Sequence, residues 1–160
     1  MTTKEKKLYL QILEYFSEGD WGLSPVGDNL TLKLENDNAD GKWKCIAIAK
    51  ERVITKRIIF YSIVPFLAFE DKIEAIAELI NRINYIEEIG NFEINYMKGQ
   101  VRCRTSINLT EVEFTDDLMS NLVDENLELT GKYLPIIDQV NKGELLPMDA
   151  IDDDDYDNYD

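Results

Sequence analysis

The sequence predicts one α+β domain with the order helix, three-stranded antiparallel meander, helix, β-hairpin, C-terminal helix. Three observations predict it. Apolar residues recur at helical spacing in three separate stretches, extended segments follow the first of them, and two alternating segments around Lys98-Gly99 precede the last. At 160 residues the chain is long enough to bury a sizeable core without disulfides or a metal.

The first helix is expected over Thr3 to Ser17, where Leu8, Ile12 and Phe16 share a face until Gly19-Asp20 stops the pattern. Leu30, Leu32 and Leu34 then alternate with Thr31, Lys33 and Glu35, as in a strand with one buried face, and the polar run Asn36 to Gly41 reads as a hairpin turn. Lys42 to Lys50 and Val53 to Val64 are two further strands, the second rich in β-branched residues and ended by Pro65.

From Phe69 to Glu87 the residues Phe69, Ile73, Ile76, Ala77, Ile80 and Ile83 form a helical stripe that Ala75, Leu79 and Ile86 widen to about half the circumference. A helix lying on a sheet alone needs a narrower stripe. Either the terminal helices pack on its flank, or Ala75, Leu79 and Ile86 form a homodimer or partner surface.

Phe92, Ile94 and Tyr96 alternate with Glu93 and Asn95, and Val101, Cys103 and Thr105 alternate with Arg102 and Arg104. With Lys98-Gly99 as a two-residue loop, Ile94 faces Cys103 and Glu93 faces Arg104; a bulge using Gly99 is the other possibility, because Lys fits poorly at a positive φ. Glu93, Arg102 and Arg104 form a polar-face strip of paired charges. Thr115, followed by Asp116 and Asp117, reads as a helix N-cap, and Pro135 should bend or restart that helix. Residues 1–143 are thus expected to form the domain and 144–160 an acidic, disordered tail, with one last turn over Pro147 to Ile151.

The composition closes several routes. Asp and Glu total 32 against 17 Lys and Arg, a net charge of −15, which disfavours nucleic acid and anionic membrane surfaces. No segment approaches the roughly 20 apolar residues of a membrane helix, and no signal-peptide core follows the first lysines, so a cytoplasmic location is expected. The chain has no histidine, which removes the commonest general base and zinc ligand, and Cys45 and Cys103 are read as small core residues. The glycines are scattered singly rather than forming a phosphate-binding loop. The acidic pairs Glu87-Glu88 and Asp116-Asp117 do not face each other on a helix. No catalytic residue, cofactor or metal is expected.

The helix ending in Ile80-Asn81-Arg82-Ile83-Asn84, the hairpin from Gly90-Asn91-Phe92-Glu93-Ile94 to Gly99-Gln100-Val101-Arg102-Cys103-Arg104, the closing Tyr133-Leu134-Pro135 with Val140 and Gly143, and the turn Pro147 to Ile151 together resemble the YbjN-domain family of bacterial proteins. The resemblance covers Phe69 to Ile151, and the first half by element order; the terminal aspartate run departs from the family pattern. It implies a fold like that of type III secretion chaperones, small acidic proteins that dimerise and hold partner segments, and it implies no catalytic residues. The function expected is a non-catalytic protein-binding, chaperone-like or regulatory module, homodimeric, holding a partner by sheet edge and helix surface. The alternative is a small-ligand sensor with a pocket between helix and sheet.

Overall fold

The structure, a computed structural model, describes residues 7–26, 31–38 and 41–152. Its elements in chain order are α1 (Lys7–Ser17), β1 (Gly22–Val26), β2 (Thr31–Asn38), β3 (Gly41–Glu51), β4 (Lys56–Leu67), α2 (Ile73–Ile86), β5 (Asn91–Ile94), β6 (Gln100–Asn108) and α3 (Asp116–Asn141). The strands form one antiparallel sheet in the order β1-β2-β3-β4-β6-β5. The expected α+β order holds, with β1 added at the front. That strand has five residues and carries Pro25, too little alternation for a strand signal.

Among the described residues, α1, α2 and α3 lie on one face of the sheet. Leu8, Ile12 and Phe16 of α1 pack with Leu32, Leu34, Cys45, Ala47, Ile58 and Phe60 in a first core cluster. Ile76, Leu79, Ile80 and Ile83 of α2 join Phe92, Val101 and Cys103, together with Tyr133, Ile137 and Val140 of α3, in a second. The width of the α2 stripe has its cause here. One side of the helix meets β5, and another meets α3 and the 3-10 turn Pro147–Asp149. Leu79 has no exposed surface, while Ala75 and Ile86 are half-buried against the same cluster, so the seam expected through Leu79 is closed by the chain's own flank.

Several details differ from expectation. Strand β4 starts at Lys56 rather than at Val53, which is exposed. Pairing of β2 with β3 continues to Asn38↔Gly41, which shortens the predicted turn. Strand β4 runs past Pro65 to Leu67, and the ladder to β6 shifts between Ile63 and Leu67; the irregularity accommodates a residue that cannot donate to the ladder. In the second hairpin Ile94 faces Val101, Glu93 faces Arg102 and Phe92 faces Cys103, a slide of two residues from the predicted register. The Asn95 side chain accepts from the backbone N–H of Met97 and Lys98, and Gly99 takes φ 72, which makes a longer turn with a left-handed glycine. An even slide keeps every side chain on its face. Finally, α3 is capped by Thr115, whose Oγ1 accepts from Leu118 N at 3.2 Å, and runs unbroken through Pro135 to Asn141. Burial of Tyr133, Ile137 and Val140 on both sides of the proline outweighs its cost of about 3 kcal/mol.

The expected domain boundary, Gly143, sits in a turn at φ 72. Beyond it Pro147 and Ile151 are buried, Ile151 within the second cluster. Residues 153–160 of the acidic run, and Thr3 to Lys6 of the predicted first helix, lie outside the described residues.

Candidate interaction surface

The most connected polar group in the structure is an internal one. Asn126 of α3 is fully buried and spans the β4–β6 seam: its Nδ2 donates to the carbonyls of Phe60 and Cys103, both at 3.1 Å, and to Thr105 Oγ1 at 3.2 Å. Its Oδ1 accepts from Ser62 Oγ at 2.6 Å, and Ser62 accepts in turn from Trp43 Nε1 at 2.9 Å. Thr105 donates to Leu122 O, and Thr130 donates to Asn126 O. Every member has a partner, so the network fixes how α3 sits on the sheet and offers no free group to a substrate. The sequence signal for it was a polar residue inside the buried stripe of α3.

Cys45 and Cys103 are buried and free. Burial pushes both thiols up to about 12, against the smaller opposing effect of a hydrogen bond to Ser62 for Cys45 and to Thr130 for Cys103. Neither is a nucleophile at neutral pH. Glu87 accepts from Lys132 Nζ at 2.8 Å and from the Tyr133 hydroxyl. Burial alone would raise its carboxyl, but those two hydrogen bonds hold it below its ordinary range, while burial and the Glu87 hydrogen bond push Tyr133 up to about 12. This group borders an open depression of about 500 Å³ with Glu88, Glu125 and Glu128 on its walls. Among the described residues no group of three or more His, Cys, Asp or Glu side chains is placed to hold a metal ion. No helix there is long and apolar enough to cross a membrane.

Both sheet edges are blunted. At β5 the Asn84 side chain of α2 donates to Phe92 O at 3.1 Å and accepts from Phe92 N at 2.9 Å, occupying the bonds a further strand would need. The opposite edge is the short β1 with its Pro25. The helix surface and sheet edge predicted to hold a partner are therefore closed at Leu79 and at Phe92.

The predicted polar strip is assembled. Arg102 Nε lies 2.7 Å from Glu93 Oε2, and Arg104 Nη2 lies 3.0 Å from Glu93 Oε1. The Arg102 guanidinium also stands 4.0 Å from the centre of the Tyr61 ring. All four residues lie on the sheet face opposite the helices, as strand alternation from the buried Ser62 and Cys103 requires. At the edge of this region an open crevice of about 490 Å³ lies between α3 and β6, where Asn91, Arg104, Asn121 and Glu125 converge.

No protein-family profile matches the chain, and no curated protein matches it by sequence. Among solved structures the fold is similar to the crystal structure of YbjN from E. coli, a protein suggested to be a transcription regulator. The TM-score is 0.61 over 86% of this chain and 94% of that chain, at 10% sequence identity. At that identity the likeness establishes the fold, which is YbjN-like, as the motifs between Phe69 and Ile151 implied.

Proposed function

We propose that the protein is a non-catalytic protein-binding module with a chaperone-like or regulatory role. One observation carries the reading: a six-stranded sheet has the helices of the described residues on one face and both edges blunted, so the surface left for recognition is broad and open. Broad open surfaces suit macromolecules, whereas small substrates are bound in enclosed concave sites. The inert thiols and the fully partnered Asn126 network support the same reading, because neither supplies an acid, base or nucleophile.

Homodimerisation belongs to the proposal with its contact moved off Leu79. Leu67, Phe69 and Met97 stand 58%, 57% and 96% exposed at the end where Ala68 N bonds Gly99 O. Light scattering is expected to give twice the monomer mass, and Phe69→Asp with Met97→Asp to return the monomer. A monomeric wild type at high concentration removes this part of the reading. The experiment for the module itself is affinity capture from native lysate against a charge-matched control protein. A specifically enriched protein is the expected result, and no enrichment overturns it. The small-ligand alternative rests on the Asn91, Arg104, Asn121 and Glu125 crevice; a metabolite raising the melting temperature of the wild type and not of Asn121→Ala would favour it.

A further inference from the structure

The cross-strand register composes the helix-free face row by row. The first row pairs Asp37 with Lys42; the next runs Glu35, Lys44, Ile63, Arg102, Glu93; the next Lys33, Ile46, Tyr61, Arg104, Asn91; the next Thr31, Ile48, Ile59, Ser106; and the last Lys50, Arg57, Asn108. Two properties stand out. The centre is apolar: Ile46, Ile48, Ile59 and Ile63 are half-buried and belong to neither core cluster. The rim is basic, with Lys33, Lys42, Lys44, Lys50, Arg57, Arg102 and Arg104 against Glu35, Asp37 and Glu93 by register, in a chain whose net charge is −15. Glu93 is shared by two arginines and so neutralises only one of them. A depression of about 430 Å³ lined by Lys33, Glu35, Lys44, Ile46 and Ile63 opens on this face.

Strand β4 reads Ile58-Ile59-Phe60-Tyr61-Ser62-Ile63-Val64, a nearly continuous apolar run of the kind found in strands covered on both faces. Among the described residues no helix covers the second face, where the side chain of Arg102 lies over Tyr61.

Resting on the protein-binding reading above, we infer that this face docks an acidic polypeptide segment of another protein, with aliphatic side chains seated on the isoleucines and carboxylates on the basic rim. Charge complementarity selects that occupant. A second copy meeting this face about a two-fold axis sets the same basic rim against itself, and like charges across an interface cost affinity. A nucleic acid strand finds one aromatic ring, Tyr61, already covered by Arg102, and four isoleucines, which give bases no stacking platform.

The test is fluorescence polarisation with a labelled synthetic peptide of alternating Asp and Leu, alongside one with Ser for Leu and one with Lys for Asp. The full chain is expected to bind the Asp-Leu peptide saturably and the controls at least about tenfold more weakly, with affinity falling as salt rises. Lys33→Glu with Lys44→Glu is expected to weaken binding by about tenfold or more. Ile46→Thr with Ile59→Thr, which keeps β-branched residues in both strands, is expected to weaken it while the circular dichroism spectrum stays unchanged. No saturable binding, or binding equal in these variants, overturns the inference. So does binding that appears only after deletion of residues 153–160, which would give the face to the chain's own acidic end, or a dimer that Ile46→Thr with Ile59→Thr dissociates, which would give it to a second copy. If the Lys33→Glu, Lys44→Glu chain still enriches the wild-type partner from lysate, this face is wrong and the module reading stands. If neither chain enriches anything, the reading itself has failed.

Discussion

Strand β4 shows both faces of the sheet within a few residues. Ile58, Phe60, Ser62 and Val64 lie beneath the helices, and Ser62 is anchored to Asn126. Ile59, Tyr61 and Ile63 turn the other way, where Tyr61 is 8% exposed with an arginine as its cover rather than a helix. The helix-covered face is a finished interior, its polar atoms paired and its apolar atoms enclosed. The other is as hydrophobic at its centre, where an arginine lies over Tyr61 and the isoleucines keep part of their surface open. Apolar content alone therefore does not distinguish a core from a docking surface; what distinguishes them here is which residues close the space.

Substitutions should separate the faces by size of effect. Leu79→Glu places a charge where no surface is exposed and is expected to cost more than about 4 kcal/mol, read as loss of the cooperative urea transition. Asn126→Ala strands buried partners on two strands and should cost about 3 kcal/mol or more at unchanged m-value. If either proves mild, the covered face is not the closed interior described. On the open face, Ile48→Thr should cost less than about 1 kcal/mol; a larger loss would make that face a second core.

Two chemical probes sharpen the same contrast. With both thiols pushed up to about 12 by burial, Cys45 and Cys103 should react with a thiol reagent at pH 8 only as fast as the protein unfolds. Fast labelling would mean that the helix layer opens locally. Glu87 has its folded pKa below the ordinary 4.5. The unfolded state then binds its proton first, so the stability it contributes is present above that value and is lost as pH falls through the folded pKa. Tyr133, raised to about 12, contributes stability that is present below 10 and lost as pH rises through its folded pKa. Glu87→Gln should flatten the acid limb, and denaturation curves across pH 3 to 5 check it.

The sequence disclosed most of the elements because their signals were strong: the alternation of Leu32 and Leu34, the stripe of Ile76, Ile80 and Ile83, and the Thr115 cap. The Glu93, Arg102 and Arg104 strip was readable for the same reason, since strand parity survives a two-residue slide. What escaped was set by tertiary context. Strand β1 is held by pairing rather than by its own pattern. Leu79 looked available because periodicity shows that a helix face is apolar and not what lies against it. The placement of Asn126 across two strands requires partners 66 and 23 residues away at Phe60 and Cys103, and no local window contains them.

The strand order has a kinetic consequence. Every neighbouring pair in the sheet is a sequence-adjacent hairpin except β4 with β6, so two locally folded units, β1 to β4 and β5 to β6, must meet along one long-range seam. Such closures are slow relative to hairpin formation. Asn126 bonds a carbonyl on each side of that seam, and its hydrogen bonds can form only after the units have joined. A chevron for Asn126→Ala should therefore show a faster unfolding rate and a nearly unchanged folding rate, making this buried amide a latch on the lifetime of the native state rather than a guide to reaching it.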